Sequence, residues 1–496
     1  MPLLPFGRWP KQKILTMDVR LRPLPIGEEE FDRLMQEVGP FETSPSLAVA
    51  LSGGPDSLAL ALLLDRWVKK NSGALFAVTV DHGLRSESAE ESQTVAGWMQ
   101  ELSIQHAILK WTGEKPFTHL QEKARKARHT LLERYCQDHQ IQHLFFAHHR
   151  EDQRETFLLR FLQKSGVDGL CSMFSLSEGP FVRKLRPLLK IPKARLYATL
   201  EDFEHPFLED PSNENFKFRR VQLRAQKDNF EALGMSTDVI ESMIEKSSWV
   251  RESLEKETIK ALFEIVSVSE LGYATLDLKK FRTCSFEIAR RVLERVVLLI
   301  GGKSYGPRWE SLIPLVKRLQ KDAQSSLVKT LNGVLLKKRH DILFLLKESN
   351  NFQKTSLPAE IDDNANQEGF MIWGGRFLIE ILQSDAQKFP QKFPQKFQGR
   401  FLQSVGKKGV LFLKHQGILT EERRIVDKRV PQEIYDDILA TLPALWENDD
   451  LLSVPHLDWG LLFWQESRLK VSKIHFFPKN SLAPSLIHVN FMENNF

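Results

Sequence analysis

The chain reads as an α/β protein in which a doubly wound parallel sheet forms the N-terminal domain, followed by a mainly helical domain and a small α+β C-terminal domain. Three observations predict this. From Leu47 to Phe161 short apolar runs alternate with longer amphipathic ones, the rhythm of βα units and a parallel sheet. After Ala225 long stretches of helical periodicity take over. Beyond a polar, repetitive stretch, short apolar runs and one compact helical pattern return. The length of 496 residues allows roughly three domains. They are drawn at 20–225, 226–350 and 366–475, with 385–399 as a low-complexity loop.

The elements follow in order. Leu47–Leu51 is an apolar strand that empties into the small-residue turn Ser52–Ser57, which opens the helix Leu58–Val68. Strand Leu75–Val80, helix Ala89–Leu102, strand Ala107–Trp111, helix His119–Gln137, strand His143–Ala147 and helix Glu151–Leu162 continue the alternation. Ligands of such sheets sit outside the carboxyl ends of the strands. Ser52–Ser57, Asp81–Arg85 and His148-His149 are therefore expected at one crevice. Leu185–Arg224 is a transition in which Pro187 and Pro192 precede a helix around Lys193–Phe203. Helices are expected over Asn229–Val268, Phe286–Leu299 and Arg308–Gln320. Gln387-Lys388-Phe389-Pro390 repeats as Gln391-Lys392-Phe393-Pro394 and begins again at Gln395, the mark of an expanded surface loop. Leu411–Leu413, a helix over Pro431–Thr441 and the apolar run Leu451–Val454 make the last domain.

Composition narrows the class. An apolar fraction of 42% supplies buried cores, and 27% charged residues suit a soluble globular chain. The net charge of +5 is compatible with an anionic partner without requiring one. Cys136, Cys171 and Cys284 are too few and too scattered for a disulfide framework and contain no C-x-x-C pair, which points to a reducing, cytoplasmic setting. Met1–Val19 has basic residues broken by Pro5 and Pro10 but no apolar core of signal-peptide length, and no uninterrupted apolar stretch could span a bilayer, so no membrane partner is expected.

The turn Ser52-Gly53-Gly54-Pro55-Asp56-Ser57 is an anion cradle. Its glycines leave backbone N–H groups unobstructed, Ser52 and Ser57 add hydroxyls, and the following helix presents its unpaired N–H groups and positive dipole end. Asp56 beside an anion is explained as a ligand for Mg²⁺, which takes one or two carboxylates together with phosphate oxygens. S-G-G-x-D-S resembles the signature of the pyrophosphate-loop ATPases, which split ATP between its α and β phosphates. The Walker-like string Gly301-Gly302-Lys303-Ser304 lacks the earlier glycine, Val297 standing there, and is set aside.

Other constellations surround this turn. On a helix His148, Asp152 and Thr156 would share one face, as would Glu151 and Glu155. Acids beside histidines can bind metal, handle protons or simply cap the helix. His149-Arg150-Glu151 mimics the H-x-E of zinc deaminases, but no P-C-x-x-C follows. Asp81 and His82 stand where such folds often hold the adenosine. Arg125 and Arg128 lie three apart on one helical face, flanked by the small Ala124 and Ala127, either as a solvated face or as a guanidinium pair for phosphate or carboxylate. Asp210–Arg224 mixes Phe216 and Phe218 with Arg219, Arg220 and Arg224, a composition suited to stacking an unpaired base while cations hold its phosphates.

These segments, in this order, resemble the tRNA(Ile)-lysidine synthase family, through Ser52–Ser57, Val80–Arg85, Ala124–Arg128, His148–Thr156, Gly169-Leu170, Arg186-Pro187-Leu188-Leu189 and Asp210–Arg224. Weaker similarity continues in Tyr305-Gly306-Pro307-Arg308, Thr330-Leu331-Asn332-Gly333 and Leu442–Pro455. Three departures stand out. Glu151 occupies the first Asp position of the usual D-D-Q, His129 replaces a common Tyr, and Val221-Gln222 replace a frequent Asn-Arg. The resemblance implies adenylation by ATP of the wobble cytidine of a CAU-bearing tRNA(Ile), then attack by L-lysine with release of AMP. Ser52, Gly53, Gly54, Pro55, Asp56, Ser57, Asp81 and His82 would bind the nucleotide. Asp56, Asp152 and Glu151 would be catalytic, with Mg²⁺ on Asp56 and Asp152. Arg125, Arg128, His148, Glu155, Thr156, Arg220 and Arg224 would bind substrate, and a homodimer is allowed. Two rival readings are a tRNA 2-thiolation enzyme, which generally employs cysteine motifs, and a catalytically silent tRNA-binding homologue.

Overall fold

The structure is a computed structural model that describes residues 23–81, 83, 88–112, 120–179, 182–209, 219–303, 305–321, 326–348, 355–356, 368–373, 377–383, 400–419, 424–427, 429–447, 450–457 and 469–476. The chain divides into two compact units, residues 1–252 with 485–496, and residues 253–484.

In the first unit α1 (Glu28–Val38), β1 (Ser46–Ala50), α2 (Pro55–Lys70), β2 (Ala74–Asp81), α3 (Ser88–Glu101), β3 (Gln105–Lys110), α4 (Leu120–Asp138), β4 (His143–Phe145) and α5 (Arg150–Leu162) follow the expected alternation. After them come α6 (Val167–Leu170), β5 (Leu176–Glu178), β6 (Arg183–Leu185), α7 (Lys193–Asp202), α8 (Arg219–Ala225), α9 (Lys227–Ala232) and α10 (Thr237–Ile265), which contains the boundary between the two units. The six strands form one sheet in the order β3-β2-β1-β4-β6-β5, parallel except for the β5–β6 pair. The doubly wound parallel sheet expected from the sequence is thus present, with an antiparallel edge that was not expected.

Both faces of this sheet are covered, which explains why β1 is apolar throughout rather than alternating. Leu47, Val49 and Leu51 pack on one side with α1, α2, α3 and α7, while Ala48 faces the other with Val78, Leu132, Cys136, Leu144 and Phe146. The chain leaves β1 toward β2 on one side and later returns to β4 on the other. That reversal opens a crevice at the carboxyl ends of β1 and β4. α2 starts at Pro55, earlier than its apolar pattern suggested, because proline's fixed φ suits the first helical position.

The single helix expected over Asn229–Val268 is not continuous. α9 ends at Ala232, Gly234 takes a left-handed φ of +83°, and α10 begins at Thr237. Val266–Val268 is a strand, β7.

In the second unit β8 (Ala274–Asp277), α11 (Leu278–Thr283), α12 (Phe286–Gly301), α13 (Trp309–Lys321), β9 (Leu327–Leu331), β10 (Val334–Arg339) and β11 (Ile342–Lys347) come next. The expected helices are joined by a five-stranded antiparallel sheet, β7-β8-β11-β10-β9. α12 and α13 share its core through Val292, Val296, Leu312 and Leu315, against Leu276, Leu336 and Leu345. Further on are β12 (Thr355–Ser356), β13 (Glu368–Trp373), β14 (Phe377–Gln383), β15 (Arg400–Ser404), α14 (Gly406–His415), α15 (Gln432–Ala440), β16 (Pro443–Glu447), β17 (Asp450–Ser453) and β18 (Leu469–Phe476). The strands make two antiparallel sheets, β12-β15-β16-β17 and β13-β14-β18. The Gln-Lys-Phe-Pro tandem lies outside the described residues. Among the described residues no helix is long and apolar enough to cross a membrane.

Candidate active site

The turn after β1 is held from within and from a distant segment. Ser52 N–H donates to Ser57 Oγ at 3.2 Å, Ser57 Oγ donates to the Gly54 carbonyl at 3.0 Å, and the two serine hydroxyls lie 3.1 Å apart. Leu208 N–H donates to the Gly53 carbonyl at 2.9 Å. Gly53 has φ +80°, and a β-carbon there would stand 2.6 Å from Val95 Cγ2 and 2.9 Å from Leu208 Cδ1. Glycine is therefore required by conformation and by space together. Gly54 has an ordinary φ of −74°.

β4 delivers the second half of the site. α5 begins only at Arg150, so His148 and His149 precede it and the expected shared face of His148, Asp152 and Thr156 does not form. His149 is the residue that meets the acids. Its Nε2 lies 3.5 Å from Asp56 Oδ2 and 3.5 Å from Asp152 Oδ2, and its Nδ1 lies 3.1 Å from Glu151 Oε2. Its backbone N–H donates to Asp152 Oδ2 at 3.1 Å. Burial opposes a charged imidazole, but the carboxylates of Asp56, Glu151 and Asp152 outweigh it and raise the His149 pKa to about 9. Glu151 shows the reciprocal effect. Burial opposes its charge, yet hydrogen bonds from His149 and from the Lys193 backbone bring its pKa down to about 2.

His148, one residue away, has the opposite environment. It stands near Phe146, with ring centroids 5.8 Å apart. Burial and the charges of Arg186, Arg125, Arg128 and Arg220 hold it neutral, well below the usual histidine range. The same cause brings the half-buried His129 down to about 3. Burial and neighbouring guanidinium charge also lower Arg128 and Arg186 to about 10 each. Arg128 Nε and His148 Nδ1 are buried without a hydrogen-bond partner. A desolvated group of arginines this poor in carboxylates favours an anion.

Asp152 lies between the two environments, with its Oδ1 3.7 Å from Arg220 Nη1. Arg220 also reaches Thr156 Oγ1 at 3.5 Å. Arg224 forms a two-point ion pair with the buried Glu155. Asp81 Oδ1 accepts from Gly83 N–H at 2.8 Å and from Ser88 Oγ at 2.7 Å, which shapes the loop after β2. His82 and residues 210–218 lie outside the described residues.

Asp56 Oδ2 also lies 3.6 Å from Lys193 Nζ, whereas Asp56 Oδ1 is buried without a hydrogen-bond partner. An orphaned carboxylate oxygen in a glycine turn at the start of a helix suits a hard cation, and the residues present fit Mg²⁺. Among the described residues no group of three or more His, Cys, Asp or Glu could hold a metal alone. A cation here would draw on Asp56, Asp152 and phosphate oxygens. The sequence places Lys193 only at the start of an expected helix, since its partner in the turn is remote along the chain. Cys136 and Cys171 are buried, and burial pushes the Cys136 thiol up to about 12, far from a reactive thiolate.

Comparisons with known proteins agree with this geometry. A family model described as a PP-loop domain matches residues 24–227. A tRNA(Ile)-lysidine synthase from Wolbachia sp. subsp. Brugia malayi is 34% identical over 361 residues, which are 71% of this chain and 81% of that protein. One from Orientia tsutsugamushi is 33% identical over 71% of this chain and 79% of its own. One from Rickettsia akari is 32% identical over 85% and 91%. A solved U34-tRNA thiolase from Methanococcus maripaludis aligns at a TM-score of 0.39 and 20% identity over 45% of this chain and 78% of its own, too distant to bear on function. With its pyrophosphate loop at the crevice of a doubly wound sheet and relatives matched over most of their length, the chain belongs to the tRNA(Ile)-lysidine synthase family.

Proposed function

We propose that this enzyme ligates L-lysine to C2 of the wobble cytidine in the CAU anticodon of tRNA(Ile), at the expense of ATP. The observation that carries the reading is the meeting, at one crevice, of the Ser52–Ser57 cradle with the acids around His149 and the arginines around His148, in a member of this family. A pyrimidine C2 carbonyl is a poor electrophile. Its oxygen first attacks the α-phosphorus of ATP and pyrophosphate leaves. The lysine side-chain amine then adds to C2 and loses a proton, and AMP departs.

Ser52, Gly53, Gly54, Pro55 and Ser57 hold the polyphosphate through hydroxyls, backbone N–H groups and the start of α2. Asp81, the last residue of β2, and His82, next in the sequence, serve the adenosine side. Mg²⁺, when bound to Asp56 and Asp152, offsets charge on the leaving pyrophosphate. Asp152 is the acid we assign to the lysine ammonium, since it stands between His149, which meets the acids, and Arg220 on the arginine-lined wall around His148. Arg125, Arg128 and Arg220 supply cationic contacts to substrate carboxylate or phosphate around the neutral His148. Thr156, Glu155 and Arg224 brace that wall. The segments 226–350 and 366–475 engage the rest of the tRNA by shape and backbone.

The test is incorporation of radiolabelled lysine into purified CAU-bearing tRNA(Ile), with the nucleotide products resolved. Lysine incorporation with AMP and pyrophosphate in equal amounts is expected. Asp56→Asn should abolish adenylation while tRNA affinity stays largely intact. Formation of ADP, or tRNA binding with no incorporation, would overturn the reading.

A further inference from the structure

Glu151 and Lys193 make a link across the crevice. α7 begins after Pro192, which has no side-chain oxygen to cap the helix, and the first N–H of α7 belongs to Lys193. That N–H donates to Glu151 Oε2 at 2.9 Å. The same oxygen lies 3.1 Å from His149 Nδ1. One carboxylate from the first turn of α5 therefore caps α7 and orients His149. The residue so capped carries the ammonium that lies 3.6 Å from Asp56 Oδ2, with its Nζ 5.7 Å from the Tyr197 ring centroid.

We infer that Glu151 is a positioning residue which fixes the start of α7, and that Lys193, held there, is a further ligand for the polyphosphate of ATP. The inference rests on the ATP-using reading above. Its physical basis is entropy and charge. A lysine is a point charge on a flexible stem, so the volume its ammonium explores depends on how firmly its Cα is held. A cation beside Asp56 also meets phosphate oxygens entering the cradle by charge-assisted hydrogen bonds. The departure of position 151 from aspartate becomes intelligible, because the extra methylene of glutamate supplies reach toward α7. Glu151 then needs no part in moving the lysine proton.

The experiment measures binding by full-length protein of an ATP analogue with a methylene between its α and β phosphates, by calorimetry, with AMP as the control. Lys193→Met should weaken the analogue about tenfold, one charge-assisted contact, and AMP less than about twofold. Glu151→Ala should give the same pattern. Glu151→Gln keeps the length and an acceptor for the Lys193 N–H, and should bring affinity back to within about threefold of wild type. The double variant Glu151→Ala/Lys193→Met should be no weaker than Lys193→Met alone. Unchanged analogue affinity in Lys193→Met, or glutamine performing no better than alanine while lysine transfer rather than nucleotide binding is lost, overturns the inference. Wild-type protein that binds neither nucleotide overturns the ATP reading itself and this inference with it.

Discussion

The two glycines of the nucleotide cradle should fail in different ways when each is replaced by alanine. Gly53 sits at φ +80°, a conformation that costs an L-residue about 1–2 kcal/mol. Its new β-carbon would also meet Val95 Cγ2 at 2.6 Å and Leu208 Cδ1 at 2.9 Å, and such overpacking costs about 1–3 kcal/mol. Gly53→Ala should therefore destabilise its unit by about 2–5 kcal/mol. At about 2–4 °C per kcal/mol for a unit of this size, the midpoint of thermal unfolding falls by about 4–20 °C. Gly54 has φ −74°, and its nearest neighbour to an added β-carbon is Ser52 Oγ at 3.6 Å. Gly54→Ala should melt within about 2 °C of wild type and yet bind ATP analogues at least about tenfold more weakly, because the added methyl stands where phosphate must approach the backbone. The assay is differential scanning calorimetry with and without nucleotide. Equal melting losses in the two variants, or wild-type nucleotide affinity in Gly54→Ala, would refute the reasoning.

Three further outcomes follow from the charge arrangement. The His149 pKa is raised from 6.5 to about 9 in the folded state, so its stabilising contribution is complete below about pH 6.5 and disappears as pH climbs through 9. At about 1.4 kcal/mol per pKa unit this amounts to about 3 kcal/mol, and His149→Gln should flatten the fall in melting temperature over that window, whereas parallel curves would disprove the assignment. Arg224→Ala leaves the buried Glu155 carboxylate without its guanidinium partner and should cost about 1–3 kcal/mol in urea unfolding, with Arg224→Lys intermediate. Replacing Arg125 and Arg128 together with alanine should weaken tRNA binding and reduce the slope of log affinity against log salt by about 1–2, while an unchanged slope would remove both from the RNA interface.

Much of this architecture could be read before any coordinates because local pattern and tertiary burial agree. The ends of β1, β2 and α3 fall within one residue of their apolar runs, since each is bounded by a turn or a polar switch. β5 and β6 escaped notice because each is three residues long, and Glu178, Arg183 and Lys184 make them look like loop. The antiparallel strands of the second unit were missed for another reason. Val334–Arg339 mixes Leu with Lys337 and Lys338, two lysines the fold nonetheless buries, and Lys337 pairs with Glu433 and Asp437 from α15. No local window contains those partners. In the site, the glycine turn and the paired histidines were evident from motif and position. Which histidine faces acid was not, because that depends on where α5 starts and on arginines brought in from α4 and from Arg186 after β6.

Leu208 both donates its N–H to the Gly53 carbonyl and packs against Gly53. Its residue number places it just upstream of 210–224, the stretch that mixes phenylalanines with cations. Under the proposed function, a shift of the Gly53 carbonyl as nucleotide binds would reach Leu208 through this hydrogen bond. Thermodynamic reciprocity would then run both ways: were the 210–224 stretch to hold RNA, as its composition suggests, whatever free energy nucleotide contributes to ordering Leu208 would be returned by RNA as tighter nucleotide. The order in which the two substrates arrive would alter rates, while the ternary complex they reach would be the same.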